Sequence, residues 1–254
     1  ICNKMKIIFL TIRFPLLILH ILAGLLILIF YPKSNTDLKP IHHKISQNWM
    51  KILIMLFGLK IIAKGSISTK ARAFVSNHIS FLDIIVLNSI IPSNFVAKSE
   101  IKSWPIIGHL AGKTGTIFIK RGNTEDNDTV INIMREYIEK NKKIIFFPEG
   151  RIGDGVKVKK FHSKLFNSIS NTKSNLQSIF IRYPLDYPND MNSDSSVCWA
   201  DKTQTLLKIS LRCLGRRRTN VLLYFGEVID TSNTDAYDLA KKSASSVMKS
   251  FSRL

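Results

Sequence analysis

The sequence predicts an α/β domain with a central mixed, mostly parallel sheet flanked by helices, behind an N-terminal membrane-anchoring helical segment. Three observations carry this. After Lys64, short apolar runs alternate with longer mixed ones, the pattern of strands and helices taking turns around one sheet. Before it, residues 14–31 form an 18-residue run broken by one strongly polar side chain, His20, which just reaches the length of a bilayer span. Hydrophobic residues make up 45% of the 254, enough for one large core. The expected organisation is an anchor and amphipathic helix over residues 1–64, and a single domain holding the sheet over 65–254.

Taken in order, Lys4 and Lys6 precede the long apolar run, as they would in a signal peptide. The run is too long for a signal h-region and no small-x-small cleavage site follows, so a retained anchor is expected. Arg13 and Pro15 at its start suggest a kink or an interfacial start. Residues 49–63, WMKILIMLFGLKIIA, are apolar but interrupted by Lys51 and Lys60, too short a stretch to span. Two readings stand for them: an amphipathic helix lying among lipid headgroups, and an ordinary helix packed on the core. Beyond them, strands are expected over 72–76, 94–98, 116–120, 143–147, 178–183, 197–200 and 221–227. Helices are expected over 80–90, 126–141, 203–214 and 235–251. The polar stretch 167–175 reads as a loop or weak helix, and 189–196 as a surface loop.

Lys and Arg number 37 against 18 Asp and Glu, a net charge of +19. That surplus favours polyanions: anionic membrane lipids, phosphorylated substrates or nucleic acid. Residues 215–219, GRRRT, read as a solvated turn facing lipid headgroups, and no recognisable nucleic-acid motif accompanies them. The competing reading of another class, a membrane-tethered basic nucleic-acid-binding protein, explains the charge alone, and no nucleic-acid partner is expected. The three cysteines, Cys2, Cys198 and Cys213, are odd in number and form no CxxC, which argues against a disulfide framework or a zinc site. No metal and no cofactor are expected in the chemistry.

Three segments carry candidate chemistry. In NHISFLD, a strand ending near Ser76 turns through Asn77 to Ile79, Ser80 caps a helix, and Asp83 sits in its first turn. A carboxylate there reaches back to one nitrogen of His78 and leaves the other facing out, the arrangement of a general base with its orienting partner. The plainer reading is a capped helix beside an ordinary histidine. In the second segment GHLAGKT imitates a phosphate-binding loop but has three residues where four are needed, and is rejected. What remains is a strand ending in Lys120 and Arg121, which either hold a phosphate or are solvated. In the third, IIFFPEGR, an apolar strand runs into Pro148, Glu149, Gly150 and Arg151. Ligands gather at the carboxyl ends of strands in α/β sheets, and a carboxylate with a guanidinium suits a polyol phosphate. A plain turn with a surface ion pair between Arg151 and Asp154 is the alternative.

In order and spacing, NHISFLD, FVAKSEIKSWPIIGHLAGKTGTIFIKR and FPEGR, followed by SIFIRYP and VLLYFGEVID, resemble the glycerolipid acyltransferases, in particular the 1-acyl-sn-glycerol-3-phosphate acyltransferases. The resemblance runs from about residue 71 to 230. It implies His78 as general base, Asp83 as its partner, and Arg121, Glu149 and Gly150 as positions tied to the acceptor. It further implies a lysophospholipid acceptor, with acyl-CoA or acyl carrier protein as donor, and an active site on the cytoplasmic face of the inner membrane. Arg151 departs from the family's usual Thr and is expected to serve as the phosphate-holding cation. His78 would then take the proton of the sn-2 hydroxyl as its oxygen attacks the thioester, with no covalent acyl-enzyme, since no G-x-S-x-G elbow is present. Another lysolipid, such as a lyso-ornithine lipid, is the alternative acceptor.

Overall fold

The computed structural model describes residues 2–32, 38–120, 124–199 and 203–252. Seven helices are described, α1 (Cys2–Ile27), α2 (Pro40–Leu56), α3 (Leu82–Ile90), α4 (Ile107–Lys113), α5 (Thr124–Glu139), α6 (Leu206–Leu214) and α7 (Ala236–Ser252). The main sheet has seven strands in the order β1-β9-β6-β2-β5-β3-β4. These are β1 (Leu59–Lys64), β2 (Ala71–Ser76), β3 (Asn94–Lys98), β4 (Ile117–Ile119), β5 (Ile144–Phe146), β6 (Asn175–Arg182) and β9 (Thr219–Asp230). Every neighbouring pair is parallel except β6 with β9. The expected fold class is therefore the observed one. A separate two-stranded ribbon pairs β7 (Pro184–Asp186) with β8 (Asp190–Ser193).

The core lies on both faces of the sheet, and strand parity assigns each residue to a face. In β2, Phe74 packs with α2, α3 and α6 through Leu53, Leu82 and Ile209. Its neighbours Ala73 and Val75 pack on the other face with α5 and α7 through Met134 and Leu239. Strands β2 and β5 are buried almost throughout, as central parallel strands covered by helices must be, which is why they read as continuous apolar runs.

Four sequence expectations are corrected. Residues 49–63 are not one helix: α2 ends at Leu56, Gly58 turns the chain at φ +63°, and Leu59–Lys64 is an edge strand paired with β9. The sheet thus takes in residues 59–64, which had been assigned to the anchor. Residues 197–199 form a turn and not a strand, while residue 200 lies outside the described residues. The stretch 189–196 contains β8, and α4 occupies the block rejected as a phosphate loop. Ile106, at the cap position before α4, has φ 64°, a conformation β-branched residues rarely adopt, and Gly108 packs so close to the Lys102 carbonyl that a Cβ would lie 2.3 Å from it.

Lys4–Phe30 is long and apolar enough to cross a membrane. Pro15 is accommodated inside α1. The helix does not stand free of the domain. Arg13 donates to the carbonyls of Leu214 (3.4 Å), Arg216 (2.5 Å) and Arg217 (3.5 Å) at the end of α6, where a helix leaves its last carbonyls without partners. Further along, the His20 and Trp49 rings stack at 4.6 Å, joining α1 to α2.

Candidate active site

Strands β2 and β5 are parallel neighbours, so the chain leaves both at the same edge of the sheet. That places Asn77–His78 beside Phe147–Gly150. Asn77 prolongs the sheet with its side chain: Oδ1 accepts from the Ile181 N–H at 2.9 Å, and Nδ2 donates to the Ile181 carbonyl at 2.9 Å. The turn is thereby fixed to β6. Ser80 donates to the Val197 carbonyl at 2.7 Å and its oxygen faces the Leu82 amide at 3.4 Å.

His78 Nδ1 lies 2.7 Å from Asp83 Oδ2. The same oxygen accepts the amides of Ile79 (2.8 Å) and Ser80 (3.0 Å), and Oδ1 accepts the Tyr183 hydroxyl at 2.7 Å. Asp83 is fully buried. With a carboxylate oxygen as its partner, Nδ1 is the donor of this pair and Nε2 is left with the lone pair. The imidazole stacks on Phe147, ring centroids 4.0 Å apart at 15°, which leaves it few other orientations. Burial pushes the Tyr183 phenol well above its ordinary value, and the adjacent Asp83 charge adds to this, so it remains a donor.

Across from His78, Phe147–Gly150 forms a turn closed by the Gly150 N–H on the Phe147 carbonyl at 3.1 Å, with Pro148 at its second position. Gly150 sits at φ +72°; a Cβ would have room beside His162, so backbone conformation and not space calls for glycine. Gly153 binds the turn to the histidine, donating to the His78 carbonyl at 2.6 Å. The turn that the plainer reading expected of this segment is present.

His78, Glu149, Gly150 and Arg151 line one cavity of about 1150 Å³, which continues to α1 and α2 through Leu17 and Leu53. It exceeds the roughly 300–1,000 Å³ of pockets for drug-sized ligands. Lys98, His162 and Lys164 also line it, residues the sequence reading left without a role. Arg151 is exposed. Asp154 accepts the Val156 amide at 2.9 Å and forms no ion pair with Arg151. Lys120 is exposed at the end of the edge strand β4 and is not part of the lining, although its neighbour Ile119 is. Arg121 lies outside the described residues. Among the described residues no group of three or more His, Cys, Asp or Glu is placed to hold a metal ion.

The Acyltransferase family model matches residues 60–182, the stretch that carries both turns of this site. Residues 60–182 are thus an acyltransferase domain. Among its relatives, the lyso-ornithine lipid O-acyltransferase of Pseudomonas aeruginosa is 26% identical over 213 residues, covering 84% of this chain and 80% of that one. The 1-acyl-sn-glycerol-3-phosphate acyltransferase of Neisseria gonorrhoeae is 34% identical over 108 residues, 42% of each chain. In fold, the chain is similar to the crystal structure of the 1-acyl-sn-glycerophosphate (LPA) acyltransferase of Thermotoga maritima, with a TM-score of 0.68 and 14% identity over 100% of this chain and 97% of that one.

The acyltransferase site also contains groups that the sequence reading missed. Tyr183 lies 100 residues from Asp83, and nothing in its local sequence marks it as a partner. Phe147 reads as the last residue of an apolar strand. Glu149 was expected to act as a carboxylate, yet it is 3% exposed and neither oxygen makes a hydrogen bond of ordinary geometry among the described residues. Burial pushes its carboxyl up to about 8, against the lowering pull of the His78 and Lys159 amides and the Lys159 charge. Glu149 is accordingly mostly protonated at pH 7 and can donate as well as accept.

This shift has a consequence for stability. The folded acyltransferase binds the Glu149 proton up to about pH 8, whereas the unfolded chain releases it near 4.5. Stability from this group is therefore full below pH 4.5 and lost as pH rises through that window. The melting temperature of Glu149→Gln, which does not titrate, is expected to gain on the parent from pH 4.5 to pH 9 by several degrees, at about 2–4 °C per kcal/mol for a chain of this size. A parallel pair of melting curves across that range would show the carboxyl to be ionised.

Proposed function

We propose that this acyltransferase transfers a fatty acyl group from a thioester donor, acyl-CoA or acyl carrier protein, to the sn-2 hydroxyl of 1-acylglycerol-3-phosphate, giving phosphatidic acid. The observation that carries the acceptor is the wall of the cavity that His78 lines. It presents Lys98, Arg151 and Lys164, while its deepest acid, Glu149, is held neutral. A phosphomonoester carries up to two negative charges and suits such a wall. The apolar remainder of the cavity accommodates a lipid chain.

In this reading His78 Nε2 accepts the proton of the acceptor hydroxyl as the oxygen attacks the thioester carbonyl carbon. Asp83 stabilises the imidazolium that forms. The tetrahedral oxyanion then collapses, the carbon–sulfur bond breaks, and the thiolate leaves with the proton returned by His78. No step passes through a metal, and the donor is a co-substrate and not a cofactor. The acceptor phosphate meets Arg151 through two parallel hydrogen bonds, a geometry lysine does not reproduce. Glu149 and Gly150 shape the turn at its base, and Arg121 is assigned to the same headgroup on the sequence pattern alone.

The outward apolar face of α1, including Ile12, Leu19 and Leu26, holds the enzyme on the inner membrane with the site open to the cytoplasmic face, near its lipid substrate. Anionic lipids meet the positive surface.

The test is a panel of lysolipids with labelled acyl donor. Lysophosphatidic acid is expected to be preferred over monoacylglycerol. Arg151→Lys is expected to raise its apparent KM and Arg151→Ala to raise it more, about 10-fold per 1.4 kcal/mol lost, with the donor KM unchanged. Unaltered acceptor kinetics in Arg151→Ala would overturn the assignment. One observation favours a second reading, a lyso-ornithine lipid acceptor: the relative aligned over most of both chains bears that name. An ornithine headgroup brings an ammonium, for which the cavity wall offers Glu100. Faster turnover of that lipid in the panel would decide for it.

A further inference from the structure

We infer that the Asp194–Arg216 ion pair positions the His78–Asp83 pair, and that the anchor helix α1 holds this device in place through Arg13. The inference rests on the reading of His78 as the base.

Asp83 receives four donors, and three belong to residues tied to one short segment, 194–199. The Trp199 N–H donates to the Ile79 carbonyl at 2.7 Å, and the Asp194 N–H donates to the Tyr183 carbonyl at 2.8 Å. The Ser80 hydroxyl donates to the Val197 carbonyl at 2.7 Å. Ile79 and Ser80 supply the two amides on Asp83 Oδ2, and Tyr183 supplies the hydroxyl on Oδ1. A displacement of 194–199 therefore reaches every donor on Asp83 except the imidazole itself.

The segment has no helix or strand of its own between Asp194 and Trp199; turn bonds from the Val197 and Cys198 amides to the Asp194 carbonyl shape it, and side chains add to these. Asp194 Oδ1 accepts from the Ser196 amide (3.0 Å) and hydroxyl (2.5 Å). Its Oδ2 accepts from Arg216 at 2.5 Å, and the second Arg216 nitrogen donates to Ser196 Oγ at 2.7 Å. Arg212 adds a bond to the Ser196 carbonyl at 2.8 Å. Burial raises the Asp194 carboxyl, but Ser196 and Arg216 hold it below its ordinary value overall, so the pair stays charged. Arg216 thus departs from the solvated, lipid-facing turn that GRRRT suggested; Arg217 and Arg218 are exposed as expected.

Arg216 stands on the turn that ends α6, and α1 grips that turn. Arg13 donates to the Leu214, Arg216 and Arg217 carbonyls. Gly215 lies so close to α1 that a Cβ would be 2.9 Å from Lys6 Cγ and 3.4 Å from Leu10 Cγ. The path from membrane helix to catalytic pair is continuous: Arg13, the 214–217 turn, Arg216, Asp194, the 194–199 segment, then Ile79, Ser80 and Tyr183. A pair with Arg216 35% exposed adds little to stability. Its effect is expected in the geometry of the site.

The experiment uses the full chain with a short-chain lysophosphatidic acid kept below its micelle concentration, so that membrane binding does not limit turnover. Three quantities are read: kcat against acceptor KM, the melting temperature, and the downfield proton signal of His78 Nδ1–H in protein labelled with 15N-histidine. Arg216→Ala and Asp194→Asn are expected to lower kcat by about 10–100-fold, the range for a misplacement near 1 Å. Acceptor KM should stay within about twofold, and the Nδ1–H signal should broaden or vanish. Arg216→Lys should fall between them and the parent. Ile209→Val, buried on the same helix, is the control for lost stability and should keep both kcat and the signal. Arg13→Ala should lower kcat on the soluble acceptor. An unchanged kcat and Nδ1–H signal in Arg216→Ala would overturn the inference, as would an equal kcat loss in Ile209→Val at matched melting temperature. Loss in Arg13→Ala only with vesicle-borne acceptor would remove α1 from the path. If the parent acylates no phosphorylated lysolipid, the acceptor reading fails, and the Nδ1–H signal still decides the positioning role.

Discussion

Replacing His78 with alanine is expected to lower acyl transfer by about 10²–10⁴-fold, the usual worth of a positioned general base. The fold should survive, because the turn that carries His78 is held by Asn77 on Ile181, Ser80 on Val197 and Gly153 on the His78 carbonyl, none of which uses the imidazole. Turnover with labelled donor and a melting curve on the same preparation check both halves. Near-normal turnover would remove His78 from the chemistry.

Asp83→Asn is expected to damage the enzyme more broadly. From spacing alone Asp83 only sets the histidine tautomer. In the structure its carboxylate accepts from His78, the amides of Ile79 and Ser80, and the Tyr183 hydroxyl, with no exposed surface. An amide in its place turns a donor toward one set of these donors. Breaking a buried charged network of this kind costs about 3–5 kcal/mol, which corresponds to roughly 10 °C of melting temperature. Turnover should fall at least as far as in His78→Ala. A variant that melts with the parent yet loses turnover would mean that Asp83 acts on the tautomer alone.

The elements that bear the chemistry were legible because each is local. The strands over 94–98 and 143–147 are single periodic segments, and the helix expected from Ser80 is found over Leu82–Ile90, with Phe81 and not Ser80 at its cap position. His78 and Asp83 are five residues apart, so one turn suffices to join them. The Phe-Pro-Glu-Gly turn is likewise readable from its residue types. What misled was composition without context. Residues 59–64 are apolar next to a helix and read as its continuation, but Gly58 ends the helical path and β9 offers an edge to pair with. Residues 197–199 look like a short strand, and are used as a buried turn whose backbone serves Ile79 and Ser80.

By itself the sequence determined the α/β class, the apolar N-terminal helix, the His78–Asp83 pairing and the arrival of Glu149 at a strand end, since all depend on spacing within one or two elements. Tertiary structure alone decided the rest. Parallel pairing of β2 with β5 put Glu149 beside His78 across about 70 residues of chain. Closure of β6 against β2 brought the Tyr183 hydroxyl to Asp83, and the end of α6 brought Arg216 to Asp194. It also put Glu149 where burial pushes its carboxyl up to about 8, because the loss of water around a group follows from what packs on it in space, and sequence neighbours do not supply that.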